Sequence, residues 1–147
     1  MTQRREMLAG LVGAVLSPGL SAQTPELSAK GWIDKITGGQ SVREGRVALI
    51  LPRLADNGLS VPLQVRVSSP MTAQSHVRQI SLVSMRNPRP LIASFYLGPH
   101  AGRAEVSTRV RLNGSQQVLA LAQLSDGSWW SATAEVEVTE SACLDAS

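Results

Sequence analysis

Residues 130–138, WSATAEVEV, set the architecture. Trp130, Ala132, Ala134, Val136 and Val138 alternate without a break with Ser131, Thr133, Glu135 and Glu137. Successive side chains of an extended chain point to opposite faces, so this pattern predicts a strand with one buried and one solvated face. The same period of two recurs upstream. Val61, Leu63, Val65 and Val67 alternate with Pro62, Gln64, Arg66 and Ser68, while Val106, Thr108, Val110 and Leu112 alternate with Ser107, Arg109 and Arg111. Less regular apolar runs occupy 46–51, 77–85, 91–97 and 118–124. Turn chemistry separates the runs at Asp56-Asn57-Gly58, Ser69-Pro70, Asn87-Pro88, Gly98-Pro99, Asn113-Gly114 and Asp126-Gly127. The Asp126-Gly127 pair between two strand runs is the clearest hairpin signal.

About seven short strands with this spacing predict an all-β chain, an immunoglobulin-like antiparallel β-sandwich. Ahead of them, Leu27, Trp32, Ile33 and Ile36 fall at helical spacing between Thr24 and Gln40, and Gly38-Gly39 stops the pattern. This predicts a short N-terminal helical segment. Aromatic residues are 3% of the 147, so the core must be aliphatic. At 43% hydrophobic and 17% charged residues, the chain can bury a core of one domain.

The first 22 residues, MTQRREMLAGLVGAVLSPGLSA, have the layout of a cleavable export signal. Arg4 and Arg5 lead into an apolar run from Met7 to Leu16, Pro18-Gly19 breaks it, and Ser21-Ala22 supply small residues before the cut. A run of about ten apolar residues is too short to span a bilayer. Paired arginines followed by Glu6, Met7 and Leu8 resemble a twin-arginine signal, with Gln3 in place of the more usual Ser; a Sec-type signal is the alternative. The expected division is therefore 1–22 signal, 23–139 sandwich and 140–147 flexible C-terminal tail, with the mature chain periplasmic and not inserted in the membrane. The net charge is +3, and Arg4, Arg5 and Glu6 belong to the leader. That balance is too weak to argue for nucleic acid.

Catalytic motifs are absent: no Gly-rich phosphate loop, no nucleophile elbow, no Cys-x-x-Cys and no zinc-binding His pair. His76 and His100 fall in turn-prone stretches, as exposed loop imidazoles do. Glu135 and Glu137 share the outward face of one strand, as do Arg109 and Arg111, which suits solubility or a partner surface. No catalytic residue, metal site or cofactor is expected. Cys143 stands apart, because it is the chain's one cysteine and lies outside the sheet pattern. At about 3.3 Å per residue, extended backbone carries its sulfur about 13 Å beyond Thr139. Glu140, Asp145 and the terminal carboxylate disfavour a thiolate, so this thiol is poorly set up to attack unaided. Either it is an attachment point activated in another protein's active site, or it is incidental or pairs with a cysteine of another chain.

The segments 87–99, NPRPLIASFYLGP, and 105–112, EVSTRVRL, with Asn57-Gly58-x-x-Val61-Pro62 and the closing DGSWWSATAEVEVT at 126–139, resemble the SoxY family. The likeness runs from about Trp32 to Cys143. SoxY is the sulfur-carrier subunit of the periplasmic thiosulfate-oxidising Sox system. The resemblance implies a non-catalytic carrier that pairs with a SoxZ-like sandwich subunit and holds sulfur intermediates on Cys143. It also implies transient contact with a thiol-loading cytochrome, a sulfate-releasing hydrolase and a sulfane dehydrogenase. Family tails end Gly-Gly-Cys-Gly-Gly, whereas this one reads Ser141-Ala142-Cys143-Leu144-Asp145-Ala146-Ser147. Leu144 adds bulk and Asp145 adds charge where glycine would thread a narrow channel, so both are expected to modulate access. The alternative function is an exported immunoglobulin-like binding or assembly module whose cysteine is incidental or disulfide-linked to another chain. Strand 105–112 or segment 87–99 is expected to contribute to the partner surface. Replacing Arg4 and Arg5 with lysine should leave the precursor in the cytoplasm, as read by periplasmic fractionation. Undiminished export would assign the leader to the Sec route.

Overall fold

The structure, a computed structural model, describes residues 27–140. The expected signal at 1–22 and residues 141–147 of the tail lie outside them. The chain runs α1 (Ala29–Thr37), β1 (Val42–Glu44), β2 (Val47–Ile50), β3 (Leu54–Asn57), β4 (Val61–Val67), β5 (Val77–Ser84), β6 (Leu91–Tyr96), β7 (Ala104–Val110), β8 (Gln116–Leu124) and β9 (Trp129–Glu140). A 3-10 turn (Pro99–Ala101) joins β6 to β7. One sheet has the order β1-β9-β8-β5-β6, with β3 also on β9; the other is β2-β4-β7. Together they form the all-β sandwich that the alternating pattern predicts.

The regular strands bury what their pattern assigns. In β4, Val61, Leu63, Val65 and Val67 face the core, while Pro62 and Arg66 face solvent. The core between the sheets adds Ile80, Leu82, Val118, Ala120, Ala122 and Val136. The irregular runs have a cause: β5 and β8 are covered on both faces. Their other sides, through Val83, Leu119 and Leu121, join Trp129 in a second cluster beneath Ala29, Ile33 and Ile36 of α1. Strands buried on both faces carry continuous apolar sequence instead of alternation.

The helix is held at both ends. Ser28 accepts the Gly31 N–H on its hydroxyl at 3.2 Å, and Gly38 closes the helix at φ 65, a left-handed conformation that costs glycine little. It is shorter than the span from Thr24 to Gln40 suggests, and its buried face differs. Leu27 precedes it at 40% exposure, and Trp32 stacks under Lys35, with Nζ 4.8 Å from the ring centroid.

Two strands are additions to the expected seven. β1 and β3 both run parallel to β9, at Val42↔Trp129 to Glu44↔Ser131 and at Leu54↔Glu137 to Asn57↔Glu140. Between them the chain hops to the other sheet, where β2 pairs antiparallel with β4. Gly45 (φ 116) and Arg46 (φ 57) make the first hop, and the guanidinium groups of Arg43 and Arg46 lie 5.7 and 4.8 Å from the Trp130 ring. Asp56-Asn57-Gly58 is half strand, half turn: Asn57 ends β3, and its Oδ1 accepts the Leu59 N–H at 3.0 Å. The hairpin at Asp126-Gly127 forms as predicted, joining β8 to β9. There Asp126 accepts the Ser128 hydroxyl and N–H, which hold its carboxyl below the ordinary range.

Leu121 is fully buried between the sheet and α1. Leu121→Ala should lower stability by about 2–5 kcal/mol in urea unfolding. A change under about 1 kcal/mol would mean that the helix does not seal this face.

Candidate functional site

β9 runs to Glu140, so Cys143, Leu144 and Asp145 lie outside the described residues. What the structure defines is the end of the sandwich from which residues 141–147 continue. Four segments converge there: the ends of β3 and β9, the β5–β6 loop and the β7–β8 loop.

The final residues of β9 are bonded on both edges. On one side the Ser115 hydroxyl accepts the Val138 N–H at 2.8 Å and approaches the Val138 carbonyl at 3.4 Å. The β8–β9 register begins at Gln116↔Val136, so this side chain continues the ladder past the strand. On the other side β3 reaches Asn57↔Glu140, and the Thr139 hydroxyl donates to the Asp56 carbonyl. The β3 end is tied onward to the β7 end, since Leu112 donates its N–H to the Gly58 carbonyl at 2.8 Å.

Asn87 is the hub of the neighbouring loops. Its Nδ2 donates to the Arg111 carbonyl at 2.8 Å, and its Oδ1 accepts the Asn113 N–H at 2.8 Å and Gln116 Nε2 at 3.1 Å. A short side chain carrying both a donor and an acceptor is needed, and asparagine supplies it. The fully buried Ser84 fixes the same loop from below, accepting the N–H groups of Arg86 and Asn87 and donating to Gln116 Oε1. Arg86 crosses to the Ser115 carbonyl at 3.1 Å. Its guanidinium lies over Gly114, 3.1 Å from where a Cβ would stand, and the φ of 80 there favours glycine. A cleft of about 270 Å³ opens between Asn87, Pro88, Arg89, Arg111 and Asn113, and a groove of about 1020 Å³ runs between β2 and β9.

The other sequence candidates disperse. His76 sits half-buried in the β4–β5 loop, with Nδ1 3.1 Å from the Thr72 carbonyl, and His100 is exposed in the 3-10 turn. Glu135 and Glu137 are exposed on β9, and Glu135 accepts Gln117 Nε2 at 2.8 Å. Arg109 donates to the hydroxyl and carbonyl of Ser60, while Arg111 falls past the end of β7. Among the described residues no three His, Cys, Asp or Glu side chains group to hold a metal, and no helix is long and apolar enough to cross a membrane. Segments 87–99 and 105–112 contain β6 and β7, the outer strands of the two sheets. Sequence reasoning missed Ser84, Ser115 and Gln116. Their importance lies in contacts with residues distant in the chain, which no local pattern signals.

The model of the sulfur oxidation protein SoxY family matches residues 33–143. Among solved structures, the sulfur carrier protein SoxY from Chlorobium limicola f thiosulfatophilum is similar at 29% identity and a TM-score of 0.62, over 73% of this chain and 88% of that one. A superoxide reductase (neelaredoxin) from Ignicoccus hospitalis is similar at 19% identity and a TM-score of 0.58, over 64% and 80%. A putative superoxide reductase from Thermotoga maritima is similar at 20% identity and a TM-score of 0.55, over 67% and 87%. At these identities the two reductases share the fold alone. No curated protein sequence matches.

Asn87→Ala removes three hydrogen bonds and leaves half-buried partners at Asn113 and Gln116 unmet. It should cost about 2–3 kcal/mol in urea unfolding. An unchanged midpoint would remove Asn87 as the organiser of this end.

Proposed function

The chain belongs to the SoxY family of sulfur oxidation proteins, and from that premise we propose that it carries sulfur intermediates covalently on Cys143 during periplasmic thiosulfate oxidation. The observation that carries the reading is the extent of the family match, which reaches Cys143 itself. The likeness at 29% identity to a protein described as a sulfur carrier supports it.

The chemistry divides between carrier and enzymes. Oxidative loading joins the Cys143 sulfur to thiosulfate, forming a thiol-bound thiosulfonate; one proton is released and two electrons pass to the loading cytochrome. Hydrolysis by the second enzyme then adds water across the S–SO₃ bond, releasing sulfate and leaving a persulfide on Cys143. A dehydrogenase oxidises the remaining sulfane sulfur, which takes its oxygen from water and passes its electrons to that enzyme's own acceptor. The carrier contributes reach from a fixed base. Its own acidic tail residues keep the unloaded thiol unreactive until a partner site activates it. Leu144 and Asp145 then set which partner channels accept the tail, by bulk and by repulsion of an anionic adduct.

A SoxZ-like subunit is the proposed permanent partner. β6, LIASFY, suits it: this outer strand carries no charge, Pro or Lys, and Tyr96 at its end is 77% exposed. Such an edge pairs with another strand unless something blunts it. Export by the twin-arginine route would carry the pair folded, with the mature chain free of the membrane.

Intact mass of the mature protein from cells oxidising thiosulfate should show sulfur-sized additions on Cys143 that vanish on reduction, and Cys143→Ser should abolish them. An unmodified thiol, or only a cysteine-linked dimer, would refute the carrier reading in favour of an exported binding module.

A further inference from the structure

The end of the sandwich at which β9 finishes carries a group of arginines. Arg86, Arg89, Arg109 and Arg111 are all exposed there. The bonding pattern places them together: Arg86 reaches Ser115, Arg89 and Arg111 line one cleft beside Asn87, and Arg109 reaches Ser60 two residues past Gly58. Arg86 and Arg109 spend donors on carbonyl oxygens, which fixes their guanidinium groups in place and leaves their charge intact. Carboxylate residues at this end are Asp56 on β3 and Glu137 and Glu140 on β9, and Glu137 lines the groove beside Arg53.

Two large apolar side chains are exposed in the same place, Leu59 at 48% and Met85 at 40%. Leu59 follows the Asn57-Gly58 turn, and Met85 is held between Ser84 and Arg86 by its N–H to the Gln117 carbonyl at 3.2 Å. Arginine and methionine around exposed apolar side chains are residues enriched in protein–protein interfaces. The backbone beneath is rigid, being the Asn87 and Ser115 network, so little ordering cost is incurred on binding.

We infer that this end is a docking platform for a protein surface rimmed with carboxylates, the entrance of the enzyme site that receives Cys143. The inference rests on the carrier reading and adds the complementary chemistry of the receiving face. A cationic collar steers the carrier onto an acidic rim at long range, and Leu59 and Met85 then make the short-range contact. β9 ends at this face, so a partner seated on it lies beside the point from which the chain continues. A carrier with no chemistry of its own gains its rate from such encounters.

The test measures affinity between the mature Cys143→Ser chain and the purified sulfate-releasing hydrolase of a Sox system, at low and at physiological ionic strength. Arg89→Glu with Arg111→Glu should weaken binding about tenfold at low ionic strength and flatten its salt dependence. Arg78→Glu with Arg103→Glu, exposed side chains at the other end of the molecule, changes net charge equally and should weaken it less than about twofold. Both doubles should keep the parent's thermal midpoint. Equal losses in the two doubles, or none in either, would overturn the platform. So would tighter binding by a chain lacking residues 141–147, because the collar would then be filled by the chain's own acidic tail. Binding of the platform to vesicles of phosphatidylglycerol instead of the hydrolase would also overturn it. Sulfate release from wild-type chain bearing a thiosulfonate on Cys143 is scored separately. A hydrolase that binds at the collar but releases nothing supports the platform and defeats the carrier reading.

Discussion

The double-edged bonding of β9 is the constraint on which the functional end depends. An antiparallel neighbour accompanies it along most of its length, and two short parallel strands take its other edge at either extremity. A strand bonded on one side only would fray before its last residues. Here the ladder is prolonged by Ser115 on one side and by β3 on the other, so the backbone is fixed as far as Glu140.

A small domain with few aromatic residues needs another source of rigidity at its ends. Between the sheets, aliphatic side chains interdigitate, and α1 closes a second apolar layer outside β5 and β8. At this end the apolar core gives way to a polar knot in which Ser84, Asn87 and Gln116 bond one another and Ser115 bonds the β9 backbone. Ser84 is fully buried, and its bonds to Arg86, Asn87 and Gln116 fix the loop in one arrangement. Two prolines flanking Arg89 reduce the freedom of the loop further.

Most of the sandwich was legible in the sequence because its signals are local. Seven runs announced seven strands, and Asp126-Gly127 announced the closing hairpin. β1 and β3 were not legible: Val-Arg-Glu and Leu-Ala-Asp-Asn are too short and too polar to show a period. They are strands because β9 offers them an edge. The same limit applies at the functional end. Cys143 stands out as the sequence's one cysteine, outside the alternating pattern, and the family resemblance suggested a role for it. Asn87 belongs to a recognisable motif, yet its work as a hub depends on Arg111, Asn113 and Gln116, more than 20 residues away and invisible to any local pattern.

The direction in which β9 meets its neighbours has a mechanical corollary. A protein that grips residues beyond Glu140 and pulls along the strand loads the cross-strand hydrogen bonds in shear, since these lie perpendicular to the antiparallel pair. Bonds sheared together share the force, whereas a strand peeled sideways surrenders them one at a time. The anchorage is thus strongest along the axis of β9. On the carrier reading proposed above, a partner can pull along that axis without unravelling the domain.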